Sequence, residues 1–220
     1  MPLLGGYLQI SEATGSPLRI FEIGASAGLN LRWDSYYYEG QGWSWGNRAS
    51  VLALRNSIEA GEPMHLAELP KVIERRGCDL NPLHVPSETS ERELLSFVWA
   101  DQIERFTRLR SALNIAKVVP VQIDEADGVE WLEQSLIPKG GSTTVIVHSV
   151  LTEHLGSEAR TALRKAVYAT AETATNDSAV AWLRMEPEGG CYRTRVTLWP
   201  GNRAFAICES DGHGQGMRWL

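Results

Sequence analysis

Residues Glu22 to Asn30, EIGASAGLN, concentrate more potential chemistry than any other stretch of this chain. A short apolar run, Leu18 to Ile23, stops at Gly24, and small residues follow as far as Gly28. Two chemistries use such a strand-to-helix corner. Gly24-Ala25-Ser26-Ala27-Gly28 satisfies G-x-S-x-G, the elbow in which a strained turn exposes a nucleophilic serine. That reading needs an acid and then a histidine further along, and Asp177 or Asp211 with His213 supply the order. It lacks an upstream segment for an HGGG-type oxyanion loop. The same residues behind Glu22 also form a glycine turn able to hold a nucleoside cofactor. There Gly24 and Gly28 take positive φ and admit a ligand to the main chain. Free N–H groups at the following helix start favour an anionic group, and Ser26 is small and adds a hydroxyl. A turn that binds nothing is the third reading; the nucleoside turn is preferred.

The neighbouring polar residues fit a cleft. Glu22 lies in an otherwise apolar strand, where an unpaired charge is costly. It must face a ligand cleft or pair with backbone N–H groups near the turn. Asn30 and Asp34, four apart, would share one helix face and either line the cleft floor or form a plain polar surface. A dinucleotide fingerprint would want glycine at 24, 26 and 29, where the chain has Gly24, Ser26 and Leu29.

These residues need a scaffold, and the bulk composition allows one. A length of 220 residues, 43% hydrophobic and 22% charged, describes one globular domain spanning 1–220 with a substantial core. The net charge of -6 and the absence of basic runs argue against nucleic acid as a partner. Cys78, Cys191 and Cys208 form no C-x-x-C pair and read as reduced thiols. No apolar run reaches the ~18 residues of a membrane span, and the N-terminus is a poor signal peptide. The expectation is a cytoplasmic protein.

The order of elements predicts an α/β three-layer sandwich with a mostly parallel sheet. Strands are expected at 18–23, 72–80, 118–123, 143–150 and 179–185, with helices over 25–33, 49–60, from Ser90 through Leu113, over 129–136 and over 157–173. The rhythm then changes: 192–198 and 203–208 flank Pro200-Gly201-Asn202 as a closing antiparallel hairpin. Residues 34–47 lack helical periodicity and read as an aromatic hairpin within an insertion of about 34–66. Its Tyr36–Trp45 aromatics would either cover a ligand or pack on the sheet, whereas Trp99, Trp131 and Trp182 read as core. Asp101 and Gln102 receive no role.

Glycine or serine at 24, 26 and 28, with an acid two residues ahead, resembles motif I of class I S-adenosylmethionine-dependent methyltransferases, Glu22 standing in the acidic place. The resemblance implies a seven-stranded sheet ending in an antiparallel hairpin, with S-adenosylmethionine as cofactor. It also implies methyl transfer to a small-molecule acceptor. Within it, Asp79, in GCDLNPL, would bind the ribose hydroxyls. Asp124, with Asp127 close behind, would face the adenine amine. His148 and Ser149 end the fourth strand, where this class often places substrate-facing residues. His148 is therefore the candidate general base or acceptor-positioning group, the alternative being a histidine satisfied within the fold. His154 reads as a cap for the following turn. No histidine or cysteine spacing suggests a metal.

The series EIGASAGLNLRWD, RRGCDLNPL, VWADQ, HS and LWPG resembles more closely a bacterial domain-of-unknown-function family. Its members are similar to methyltransferases in topology and carry a longer, mostly helical segment ahead of the first strand. Here that segment is expected to be shortened, with its lid missing or truncated. Two other readings accompany the methyltransferase: a non-catalytic scaffold of the same fold acting as a binding module, and the serine hydrolase built on Ser26.

Overall fold

The computed structural model describes residues 1–55, 58–85 and 87–220. Inside the parallel half of its main sheet runs β1 (Leu18–Ile23), buried along its whole length. Alternation divides that strand between two cores. Leu18 and Ile20 face one, beneath α1 (Leu3–Thr14) and α3 (Ile103–Ala116). Phe21 and Ile23 face the other, beneath α4 (Gly128–Ser135) and α5 (Ser157–Glu172). A strand buried on both sides reads as a continuous apolar run, which is why LRIFEI stands out in the sequence.

β1 lies between β6 (Val72–Asp79) and β8 (Thr143–Ser149), parallel to both. β7 (Gln122–Glu125) extends the sheet beyond β6, and β9 (Val180–Glu188) extends it beyond β8. From β9 the chain meanders through β10 (Cys191–Trp199) and β11 (Arg203–Ser210) as antiparallel neighbours. The expected closing hairpin is present, and a further one at Gly189-Gly190 precedes it. β12 (Met217–Trp219) and β5 (Ile58–Ala60) then widen the expected seven strands to nine, in the order β5-β12-β11-β10-β9-β8-β1-β6-β7.

Four expectations are corrected. Residues 25–33 form a turn followed by a 3-10 helix, Asn30–Ser35, because positive φ at Ser26 (50°) and Gly28 (65°) interrupts an α-helix. The 49–60 helix is replaced by β4 (Ala53–Arg55) and β5; residues 56 and 57 of that span lie outside the described residues. The helix from Ser90 is two helices, α2 (Glu88–Ser96) and α3, and the N-cap is Ser87, whose hydroxyl accepts from the Ser90 N–H. The third strand begins only at Gln122, after Pro120.

The aromatic insertion forms its own small sheet of β3 (Trp43–Gly46), β2 (Tyr37–Gly40) and β4. Its rings are core rather than cover. Trp33 stacks on Tyr7 of α1 at 4.3 Å and on Trp45 at 5.2 Å, and Tyr36, Tyr38 and Trp43 are buried beside them.

Candidate functional site

The chain runs from β1 to β6 and β7 on one side and returns to β8 on the other. The switch point therefore lies between β1 and β8, where a parallel sheet opens a crevice outside its carboxyl ends. A cleft of about 440 Å³ occupies that place. Gly24 enters it from the end of β1, Cys78 and Asp79 from β6, and Asp127 and Gly128 from the β7–α4 junction. Ser149, Val150 and Leu151 form the wall after β8, and His154, Leu155 and Leu163 close it.

The glycine turn and Asp79 are one unit. The Ser26 N–H donates to Asp79 Oδ2 at 2.8 Å and the Asn81 N–H donates to Oδ1 at 2.9 Å. A carboxylate offers about four acceptor positions, so each oxygen retains capacity for a ligand hydroxyl. Asp127 caps α4 by accepting from the Val129 and Glu130 N–H groups. Gly24 takes a φ of 69°, and a Cβ there would stand 3.0 Å from Leu151 Cδ1 across the cleft. Gly28 has a different role. A Cβ on it would meet Ile123 at 2.9 Å and Val121 at 3.0 Å, so it permits packing beneath β7 and does not line the cleft.

Glu22 is buried behind the turn. Its Oε1 accepts from Asn30 Nδ2 at 2.8 Å, while Oε2 has no partner among the described residues. Burial pushes its carboxyl up to about 8, against the opposing hydrogen bond from Asn30. Asn30 also reaches Ser149 Oγ at 3.4 Å, joining the ends of β1 and β8. Asp34 does not share that face; it forms a two-pronged ion pair with Arg75, at 2.6 and 2.7 Å.

Glu22, Ser26, Gly28 and Asn30 stand outside the cleft lining, and so do Asp124 and His148. Asp124 accepts from Trp131 Nε1 at 2.7 Å, Arg76 Nε at 2.8 Å and Gln122 Nε2 at 2.8 Å. Partial burial would raise its carboxyl, but these donors hold it below its ordinary value. It ties β7 to β6 and α4. His148 is wholly buried on the α5 side of the sheet. Trp182 Nε1–H donates to its Nε2 at 3.0 Å, which places the ring proton on Nδ1, 2.6 Å from Glu186 Oε1. Both ring nitrogens are thus committed inside the fold.

Glu186 links that histidine to the cleft, and nothing in the local sequence around it signalled this. Its carboxylate also accepts from the Leu151 and Thr152 N–H groups at 3.0 Å and from the Thr152 hydroxyl. Burial opposes ionisation, yet the donors, His148 foremost, keep the carboxyl below its usual range. The turn so held contains Val150 at a φ of 55°. Left-handed backbone is strained for a β-branched residue and collects at functional sites. His154, read from sequence as a simple cap, is the histidine that lines the cleft. Burial pushes the Cys78 thiol up to about 12, which makes it a poor nucleophile despite its place in the wall.

The hydrolase arrangement does not assemble. His213 follows β11, four strands from β1, or roughly 19 Å at ~4.8 Å per strand. Asp211 accepts from the backbone N–H groups of His213 and Gln215, and Asp177 lies before β9 at the opposite end of the sheet.

The sheet order and the placed cleft define an α/β protein of Rossmann-like architecture with an open crevice at its switch point. The chain belongs to the bacterial family described as uncharacterized protein conserved in bacteria (DUF2332), whose model matches residues 1–219. No curated protein matches it. Among solved structures it is similar to the glycopeptide N-methyltransferase MtfA complexed with (S)-adenosyl-L-homocysteine, at 12% identity and a TM-score of 0.29. That alignment covers 96% of this chain and 66% of the methyltransferase, just under two thirds, and it is too distant to carry an argument. No helix among the described residues is long and apolar enough to cross a membrane.

Proposed function

We propose that this protein binds S-adenosylmethionine in the switch-point cleft and transfers its methyl group to a small acceptor. The observation that carries the reading is the convergence of Gly24, Asp79 and Asp127 on one cleft. Its volume falls within the ~300–1,000 Å³ typical of ligand sites. Asp79 would hold the ribose hydroxyls with the acceptor positions left free by the turn. Asp127 would take the place near the base first given to Asp124, since Asp124 is occupied by three donors. Gly24 would let the cofactor approach the main chain, and Ile23, Leu80 and Val129 would flank the base with apolar surface.

The cofactor, when bound, supplies a methyl group already activated by its sulfonium. The protein's part is to align the acceptor, exclude water and accept a proton where the acceptor carries one. Leu151, Leu155 and Leu163 serve the exclusion, and His154 is the histidine facing the cleft in place of His148. An imidazole nitrogen there could accept a proton from the acceptor.

Calorimetric titration with S-adenosylhomocysteine, with NAD as the control, tests the reading. Micromolar binding is expected, reduced about tenfold or more in Asp79→Asn, where a charged acceptor becomes neutral. Gly24→Val should abolish binding, because its side chain fills the gap to Leu151. A folded wild-type chain that evolves no binding heat would remove the proposal and leave the non-catalytic scaffold.

A further inference from the structure

We infer that a second pocket, between α5 and β9, binds a small oxyanion, the carboxylate or phosphate group of a small acidic molecule, through Arg160, Arg164 and Arg184. The pocket has a volume of about 320 Å³ and lies across the Glu186-held turn from the cleft, with Thr152, Leu163, His148 and Glu186 itself in its wall. It is independent of the proposed cofactor.

Positive charge gathers around this pocket without a matching carboxylate among the described residues. Arg184 is half-buried on β9, its guanidinium 4.1 Å above the Trp182 ring. Its hydrogen bond is to the Thr197 hydroxyl, at 3.1 Å. Arg160 is aimed by its Nε, which donates to the Thr152 and Leu155 carbonyls at 2.8 and 3.0 Å and leaves the terminal amino groups uncommitted. Arg164 is exposed one helical turn further along α5 and forms no ion pair among the described residues.

Two carboxylates are near, and both are taken. Glu186 serves His148 and the turn. Glu188 pairs with Arg193 and Arg195, each at 2.6 Å. Among the described residues, none of the three arginines has a carboxylate within ion-pair distance. Burial, then the charge of Arg195 and further off that of Arg164, holds the Arg184 guanidinium below its ordinary value. A half-buried cation among like charges is costly. Guanidinium forks match carboxylate and phosphate oxygens in geometry, so an oxyanion would neutralise the cluster and use its free donors. The chain carries a net charge of -6, so three arginines around one pocket gather positive charge locally.

Titration calorimetry of the full chain with inorganic phosphate, and separately with succinate, at constant ionic strength tests this. Saturable binding of at least one anion is expected, and the better ligand distinguishes a phosphate ester from a carboxylate. Arg184→Gln and Arg164→Gln should each weaken it about tenfold or more, and Arg110→Gln on α3 should leave it unchanged. Binding of neither anion overturns the proposal. So does equal loss in Arg110→Gln, which would mark general charge attraction. Should Arg184→Gln fail to fold, Arg164→Gln decides, since that exposed side chain has no structural bond to lose; unchanged affinity there also overturns the assignment.

Discussion

At the scale of single residues, the buried carboxyl of Glu22 has the clearest consequence. Its folded value of about 8 stands above the ordinary 4.5, so the folded state holds a proton that the unfolded chain releases more readily. The associated stability is fully present below about pH 4.5 and is lost as pH rises towards about 8. The steepest slope for one group is about 1.4 kcal/mol per pH unit. Glu22→Gln keeps the shape and the Asn30 contact without the titration. Urea denaturation across this window should therefore show a flatter stability profile in the variant than in the parent. Identical profiles would mean that Glu22 is ionised in the fold and that water or a ligand reaches its unpartnered oxygen.

At the scale of elements, the turn after β8 is held from β9 by a single side chain. Glu186→Ala removes the partners of His148, two backbone N–H groups and the Thr152 hydroxyl. A loss of about 2–3 kcal/mol is expected in chemical denaturation, together with faster amide exchange at Leu151 and Thr152. Unchanged exchange would show that the strained Val150 backbone is held without Glu186. This scale also explains which parts were legible beforehand. β1, β6, β8 and α5 declared themselves because each carries its own period or apolar run and its own stop. β4 and β5 did not, since three-residue strands exist only through their partners, β2 and β12, distant in sequence. The break between α2 and α3 contains neither proline nor glycine to announce it. At the site, Gly24, Asp79 and Asp127 were readable because strand ends converge in any parallel sheet. His148 misled through parity: it points with Ile146 towards α5, whereas Ser149, one residue on, meets the cleft and Asn30. Period-two alternation makes that single step decisive.

At the scale of the whole molecule, the sheet is covered on one face by an N-terminal helix fitted to strands from the other end of the chain. α1 can lie close only because Gly5 and Gly6 carry no side chain. A Cβ on Gly6 would stand 2.3 Å from Leu183 Cδ1, and one on Gly5 would stand 2.5 Å from the Trp219 ring. Gly6→Val should cost at least about 2 kcal/mol through overpacking, read as a lower denaturation midpoint with the cleft residues untouched. A midpoint equal to the parent's would show that α1 can lift without loss. The same seat has a consequence for biosynthesis. α1 is buried by Leu183 and by Trp219, side chains that the ribosome adds long after it. Until both are made the apolar surface of α1 waits for its cover, exposed to chaperones and to neighbouring nascent chains, and only afterwards can the sheet close over it.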